Sequence, residues 1–381
     1  MNMTSVERAQ SLGAVMVHMM GIGLTLGLTF PLTSLTLDAW NSPGWVIGLA
    51  SSMAPLAILI FMPVLPRIAK SLGSVRAMVL GCLIGAAGLT VMYLVPNASV
   101  WIAARFVIGA GLALPWLVGD VWINSVARED SRGRVIACYV TCLFVGFSMG
   151  PLALDSVGID GVAPYLLGYG ALALAVLPLM AVGRLAPPFE TQGEDNVLSA
   201  ARAVPIVAAG AFLAGFTEAL IFSLLTIWGL EVGLDESGTL RLLTTCVIGG
   251  VLLQPAFGFV ADKIDRQRLL GLIGLALVAT GAALQMAEGI AIFVVAFVLG
   301  GLILALYGLS LTILGERCPP SKLAVASAAF LILYQAGSMI GPLFVGTSID
   351  AFGSSGFVAS LALAGLMMAT VALTVRRQTG W

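Results

Sequence analysis

Charged residues are scarce in this chain. Asp, Glu, Lys and Arg together make up 10% of its 381 residues, against roughly 25% in soluble domains. Hydrophobic residues reach 59%, compared with roughly 45–50% in soluble proteins, and the mean hydropathy is +1.05. A soluble fold could not cover so apolar a chain with polar side chains. The composition therefore excludes an ordinary soluble protein and indicates an integral membrane protein.

Histidine, cysteine and surplus basic charge are also scarce. One histidine and five cysteines offer few ligands for a metal or redox centre, so we expect no cofactor. The 18 bases are balanced by 19 acids, which leaves no basic surface for nucleic acid. No P-loop is present to use ATP. The segment from Gly146 to Gly150 fits the G-x-S-x-G pattern of hydrolases, but that pattern needs a strand-to-helix turn and a nearby histidine, so we expect no enzyme.

Long apolar runs are abundant instead. Twelve of them have the roughly 20 residues that a helix needs to cross a bilayer, whereas a membrane β-barrel would show short alternating strands. The sequence therefore predicts an all-α integral membrane fold with twelve transmembrane helices. The predicted spans are residues 12–37, 44–65, 77–95, 100–124, 135–157, 164–182, 204–230, 239–260, 269–287, 289–315, 323–349 and 356–375.

Basic residues orient the chain. All but two of the 18 lysines and arginines fall on one side of the twelve predicted spans. The exceptions, Arg105 and Arg241, lie in or at the ends of spans. Because positively charged loops stay in the cytoplasm, we predict a multi-pass protein of the inner (plasma) membrane with both termini cytoplasmic. No signal-peptide cleavage pattern precedes the first span, so we expect it to be retained.

The two halves of the chain share a repeat at an offset of 191 residues. Spans four and ten match at this offset, as do spans five and eleven. A duplicated six-helix unit implies two halves related by a pseudo-two-fold axis, with a site near the midplane. We predict a first bundle over 1–185, a cytoplasmic linker over 186–203 and a second bundle over 204–381. The repeated positions are Gly146, Gly150 and Pro151 in span five and Gly337, Gly341 and Pro342 in span eleven.

The loop between spans eight and nine carries a glycine, an acid and several bases, and it resembles the signature loop of the major facilitator superfamily. Asp265 stands where that family usually has glycine. The matching loop of the first half keeps Arg76 but has Lys70 in place of the acid. Such loops either hold one conformation shut or only set the topology. The signature residues of the second half are Gly258, Asp262, Lys263, Arg266 and Arg268.

Two further motifs carry the same resemblance. The segment from Arg105 to Gly111 is similar to the arginine-glycine motif of the superfamily, and the segment from Gly146 to Pro151 to its glycine-proline motif. As a whole the chain resembles a little-characterised bacterial subgroup with lysine in the first loop. The resemblance implies alternating access, in which two rigid bundles rock about a central cavity that binds a small molecule.

Ionisable residues inside spans are costly and are therefore functional candidates. Glu218 lies at the middle of span seven with no base within one turn. We expect it to bind the coupling proton or a substrate donor; the alternative is a neutral acid bonded to a neighbouring helix. Arg105 could by resemblance couple to protons or hold an anionic substrate, or it could snorkel to the interface. Asp120 falls near the cytoplasmic end of span four, where we expect it to pair with Arg76 or Arg67 and stabilise a closed gate.

Polar and aromatic side chains at mid-depth complete the predicted site. Threonines 4, 4 and 3 residues apart share a face of span one; they either line the cavity or bond back to the helix backbone. Aromatic rings at mid-depth could stack on a planar ligand or pack the core. The residues concerned are Thr25, Thr29, Thr33 and Thr36, with Trp116, Tyr307, Tyr334 and Gln335.

We therefore predict a monomeric secondary transporter that moves a small organic solute, such as a planar vitamin or drug, coupled to protons. A non-transporting receptor or a lipid-handling protein on the same scaffold is the alternative. A copper importer is a lesser one, because His18, Met19, Cys138 and Cys142 offer soft ligands for Cu(I).

Overall fold

The computed structural model describes residues 3–129, 131–187, 205–319 and 322–375. Within these ranges twelve helices are long and apolar enough to cross a membrane, which confirms the predicted all-α membrane fold. The α-helices are α1 Ser5–Ala39, α2 Gly44–Phe61, α3 Leu65–Leu72, α4 Ser74–Leu94, α5 Ala98–Val126, α6 Arg132–Val157, α7 Ala163–Ala181, α8 Pro205–Glu231, α9 Glu236–Ala261, α10 Arg266–Met286, α11 Ile290–Arg317, α12 Leu323–Phe352 and α13 Ser354–Thr374.

The short helix α3 replaces a segment predicted as the end of span two and a loop. Pro66 stands in its first turn, where a missing N–H costs no helical hydrogen bond. Gly73 ends the helix with φ at 79°, a conformation that favours glycine. Leu65 and Ala69 are buried while Lys70 is exposed, so the first signature segment forms a small amphipathic helix.

Contacts divide the chain into two compact units. Unit 1 comprises Met1–Thr36 and Leu56–Gly193, and unit 2 comprises Leu37–Pro55 and Glu194–Trp381. The start of α2 therefore belongs with the second unit, although it lies early in the sequence. The linker predicted over 186–203 lies outside the described residues except for Ala186 and Pro187, and its boundaries stay predictions.

Glycines allow the first helix of each half to pack directly on its partner. In unit 1, a Cβ on Gly146 of α6 would overlap the Met20 carbonyl of α1. In unit 2, a Cβ on Gly337 of α12 would overlap the Phe212 carbonyl of α8. Small residues at such contacts are how membrane helices approach closely. The glycine repeat seen in the sequence thus marks equivalent helix contacts in the two units.

Unit 2 also holds the start of α2 against α12. The Asp350 carboxylate accepts hydrogen bonds from the backbone N–H groups of Gly44, at 2.6 Å, and Trp45, at 2.8 Å. These are free N–H groups at a helix start, where an acidic cap is favourable. A Cβ on Gly346 would overlap the Gly44 carbonyl, so the two backbones touch. This contact explains why residues 37–55 group with unit 2.

Candidate functional site

Glu218 is the central candidate in unit 2. It lies halfway along α8, the most deeply buried of the twelve spans. Its side chain is half-buried, and its carboxyl lies beside the Tyr334 hydroxyl of α12. No lysine or arginine of the described residues forms an ion pair with it. The carboxyl is therefore held by a neutral partner inside the helix bundle.

Aromatic rings extend from this carboxyl. The rings of Tyr307 on α11 and Tyr334 on α12 meet edge to face, with centroids 5.3 Å apart. Phe330 contacts Tyr307 in the same way, also at 5.3 Å. Both tyrosines and Gln335 are half-buried. The sequence predicted only that Glu218, Tyr307 and Tyr334 lie at a similar depth in their spans. The structure shows that they are also neighbours.

Arg105 is the central candidate in unit 1. Its side chain is 0% exposed, whereas snorkelling would bring the guanidinium to the surface. The Phe30 ring of α1 lies over the guanidinium carbon, with 4.7 Å to the ring centroid. None of its three side-chain nitrogens has a hydrogen-bond partner among the described residues. A cation–π contact offsets part of the charge but leaves every N–H donor unused.

Asp120 has partners that the sequence did not suggest. The Tyr139 hydroxyl of α6 donates to its Oδ1 at 2.9 Å, and the Trp116 indole lies beside the same carboxylate. Arg76, one of the two arginines with which we expected it to pair, is exposed in the first turn of α4. The polar partners of Asp120 in the structure therefore come from α5 and α6, and the predicted ion pair with Arg76 is not among the described contacts.

Three of the four threonines on the predicted face of α1 bond back to their own helix, whereas the Thr36 hydroxyl has no partner among the described residues. Thr25 donates to the Gly21 carbonyl at 2.9 Å and Thr33 to the Thr29 carbonyl at 2.6 Å. Thr29 reaches the Leu26 carbonyl at 3.3 Å. All three are fully buried. Of the two alternatives for this face, the structure shows the one in which the hydroxyl protons are used locally.

The signature loop of the second half is anchored within unit 2. Arg266 pairs with Asp262, at 3.4 Å, and with Glu316 of α11. Asp265 caps α10: its Oδ1 accepts a hydrogen bond from the Arg268 backbone N–H at 3.0 Å. Asp265 stands where the family usually has glycine, and in this protein its local role is to cap the helix. The Lys263 ammonium lies over the ring of Phe259, 3.9 Å from its centroid, and Gly258 is exposed.

Beside this loop, Gln267 ties three helices together. Its amide nitrogen donates to the carbonyls of Ala372, at 3.0 Å, and Val375, at 2.8 Å, at the end of α13. Its amide oxygen accepts from Arg317 of α11 at 2.8 Å. A small polar cavity of about 230 Å³ lies between these residues and the loop. The loop and Gln267 therefore hold the start of α10 against the ends of α11 and α13.

Comparison with known families decides the assignment. The family model described as Major Facilitator Superfamily matches residues 12–206 and again 207–380. This chain belongs to the major facilitator superfamily. The two matches nearly cover the chain, and their junction between residues 206 and 207 falls just after the linker predicted over 186–203.

Other members of the superfamily resemble the whole chain. An uncharacterised MFS-type transporter YcaD of Escherichia fergusonii is 26% identical over 339 residues, 87% of each chain. An uncharacterised MFS-type transporter of Enterobacter sp. strain 638 is 26% identical over 325 residues, 84% of each chain. The predicted likeness to a little-characterised bacterial subgroup of the superfamily is thereby confirmed.

Solved structures of other members share the fold. The nucleoside transporter NupG aligns with a TM-score of 0.76 at 14% identity, over 99% of this chain and 100% of its own. A bacterial homologue of the human lysosomal transporter Spinster, inward-facing and unoccupied, aligns at 0.72 and 15% identity over 97% and 95%. At these identities the likeness concerns the fold alone.

Sequence reasoning about this superfamily member missed three partners. Tyr139, Phe30 and Asp350 all contact candidate residues or helix ends from another helix. Tyr139 carried one usable signal, a polar hydroxyl inside an apolar span that needs a partner. Phe30 and Asp350 carried no usable signal. The sequence has many phenylalanines, and acidic residues at helix ends are common, so neither residue stood out.

Proposed function

We propose that this protein is a secondary active transporter that moves a small organic solute across the membrane by alternating access, coupled to protons. The observation that carries the proposal is the carboxyl of Glu218, which lies mid-span on α8 beside the Tyr334 hydroxyl and forms no ion pair with the described residues. Membership of a transporter superfamily supports the coarse function, and the location predicted from the charges is the inner membrane.

The Tyr334 hydroxyl suits a carboxyl that gains and loses a proton. A hydroxyl can donate to a carboxylate and can accept from a carboxylic acid. The contact between Glu218 and Tyr334 can therefore persist in both protonation states, whereas an arginine partner would hold the carboxylate ionised. A carboxyl that keeps its partner while changing its charge is well suited to pick up a proton on one side and release it on the other.

The ring cluster supports an aromatic or planar solute. Tyr307 and Tyr334 present half-buried rings beside Glu218, and aromatic faces bind planar ligands by offset or edge contacts. Gln335 lies next to Tyr334 in the chain and adds an amide that can donate and accept. We place the solute-binding residues of unit 2 in this cluster.

The test is uptake by proteoliposomes containing the full chain, with and without an imposed pH gradient. The probes are riboflavin, uridine, benzoate and benzylamine, with an internal pH dye reporting proton movement. We expect the wild-type protein to take up at least one of these solutes together with protons. Glu218→Gln should abolish this coupled flux at unchanged expression, because the amide cannot carry the proton.

The matched control is Glu288→Gln, an exposed acid in the loop before α11. It should transport at the wild-type rate. Full coupled transport by Glu218→Gln would overturn the assignment of the proton site. No uptake of any probe under any gradient would favour the receptor or lipid-handling alternative.

A further inference from the structure

The helix α3 and the first turn of α4 carry a basic surface that the proposed transport mechanism does not use. Arg67, Lys70 and Arg76 are exposed there, and Lys70 stands where the superfamily usually has an acid. We propose that this surface binds an anionic phospholipid, with the phosphate at Lys70 and Arg76 and an acyl chain along α4. The proposal does not depend on the transport function.

No acid in this part of the sequence neutralises the basic surface. Residues 39–119 contain no aspartate or glutamate. Among the described residues, neither Lys70 nor Arg76 forms an ion pair or a side-chain hydrogen bond. The two bases lie on either side of the turn at Gly73, and both lysine and arginine bind phosphate oxygens through charge-assisted hydrogen bonds. The charge of the surface therefore fits an anionic phosphate group.

The packing of α3 keeps its bases away from the helix bundle. Leu65 and Ala69 are buried, and α3 contacts α4 and α5. At 3.6 residues per turn, Arg67 and Lys70 lie on the opposite side of this short helix. The apolar side of α3 is therefore used by packing within the protein, and its basic side stays available to a ligand.

The basic surface continues into an exposed apolar stripe on α4. Five exposed residues follow one another at steps of 4, 3, 4 and 4 along one face of this helix, and they are Arg76, Leu80, Leu83, Ala87 and Val91. The Leu83 side chain is 62% exposed. In a protein that spans a membrane, an apolar face that no other helix covers contacts lipid. Arg76 therefore lies at the polar end of a stripe that faces acyl chains.

The length of the stripe fits one leaflet of a bilayer. Leu80 and Val91 are eleven residues apart in one helix, which is roughly 16 Å along the axis. One leaflet contributes about half of the roughly 30 Å hydrocarbon core. A lipid whose acyl chain lies along the stripe has its phosphate near Arg76, whereas a soluble acidic partner would use the bases and leave the stripe uncovered. The combination of bases and stripe therefore favours a phospholipid.

The test measures equilibrium binding of radiolabelled lipids to the immobilised full-length protein in neutral detergent micelles. The probes are dioleoylphosphatidylglycerol, which is anionic, and dioleoylphosphatidylcholine, which is zwitterionic, with soluble glycerol 3-phosphate as a competitor. We expect phosphatidylglycerol to bind more tightly, with a preference that falls at high salt because salt screens exposed charges. Lys70→Gln and Arg76→Gln should each weaken its binding about fivefold, the effect of one base near a lipid surface.

Control variants separate this site from general surface charge and from folding. Arg132→Gln alters an exposed base at the start of α6, where Tyr139 and Leu143 on the same face are buried and no apolar stripe follows. It should bind phosphatidylglycerol like the wild type. Lys70→Arg keeps the charge and should also bind like the wild type. All of these variants change exposed side chains and should keep the wild-type melting temperature.

The predicted linker is the competing occupant, because the Ser74 hydroxyl donates to the Pro187 carbonyl at 2.7 Å and the linker sequence contains Glu190, Glu194 and Asp195. Replacing these three acids by their amides should leave phosphatidylglycerol binding unchanged. A gain of tenfold or more would show that the linker occupies the surface and would overturn the proposal.

Three other results would also overturn the proposal. The first is equal binding of the two lipids by the wild-type protein. The second is displacement of phosphatidylglycerol by glycerol 3-phosphate, which would make a soluble phosphate the ligand. The third is equal loss of binding in Lys70→Gln, Arg76→Gln and Arg132→Gln, or no loss in any of them.

Discussion

Three ionisable residues inside the spans, Glu218, Asp120 and Arg105, lie against neutral side chains. Asp120 accepts a hydrogen bond from Tyr139 of another helix, Glu218 lies beside the Tyr334 hydroxyl, and Arg105 faces a phenylalanine ring. Ion pairs within the described spans would neutralise these groups permanently. None of these three residues forms an ion pair among the described residues, which is consistent with the proton binding proposed for Glu218.

The hydrogen bond between Tyr139 and Asp120 gives a prediction at this scale. Tyr139→Phe removes a donor at 2.9 Å from a carboxylate, so we expect it to lower the free energy of unfolding by about 1.5–3 kcal/mol. In an Asp120→Asn background the same change should cost less, because the charge is gone. Reversible unfolding in mixed micelles measures both values.

The matched control is Tyr169→Phe, which removes a hydroxyl that bonds the neutral Thr90 hydroxyl at 2.8 Å. Its cost should be about 0.5–1.5 kcal/mol. Equal losses for Tyr139→Phe in both backgrounds would show that the bond to Asp120 does not stabilise the fold.

Helix pairs in this protein are set by glycines more than by amphipathic patterns. Gly146 on α6 and Gly337 on α12 each contact the first helix of their half. In lipid, packing and close backbone approach drive helix association, since apolar faces gain little by leaving hydrocarbon. The repeat at 191 residues therefore preserves contacts as well as residue types.

Gly337→Ala gives a prediction for these elements. The new Cβ would overlap the Phe212 carbonyl of α8, and α8 and α12 must separate to admit it. We expect a loss of about 1–3 kcal/mol in the free energy of unfolding, as for overpacking elsewhere. A lower melting temperature of the purified variant would report it.

Gly315→Ala in α11 is the control, because a Cβ there meets no other atom within 4 Å. Alanine should stabilise that helix by about 0.5–1 kcal/mol. If Gly337→Ala behaved like Gly315→Ala, the close approach of α8 and α12 would not be required.

At the scale of the whole molecule, loop charge predicts how the chain crosses the membrane. All but two of the 18 bases fall on the predicted cytoplasmic side, so the loop between α5 and α6 should be inside and that between α10 and α11 outside. In a variant without the native cysteines, Glu288→Cys should react with a membrane-impermeant maleimide in intact cells. Glu129→Cys should react only after permeabilisation, and the reverse pattern would invert the topology.

The number and type of the elements could be predicted because both are local properties. A run of roughly 20 apolar residues suffices to make a membrane helix, and twelve such helices are present among the described residues. The separate helix α3 was missed, although Pro66 and Gly73 carry its start and stop signals. Span counting alone treated that polar segment as a loop.

The sequence by itself determined the membrane class, the spans, the repeat and the positions of Glu218 and Arg105 along their helices. Only the tertiary structure decided the partners: Tyr334 for Glu218, Tyr139 for Asp120, Phe30 for Arg105 and Asp350 for the start of α2. The reason is that partners depend on the rotation and axial register of each helix. Helices that are apolar on every side carry almost no pattern to specify either.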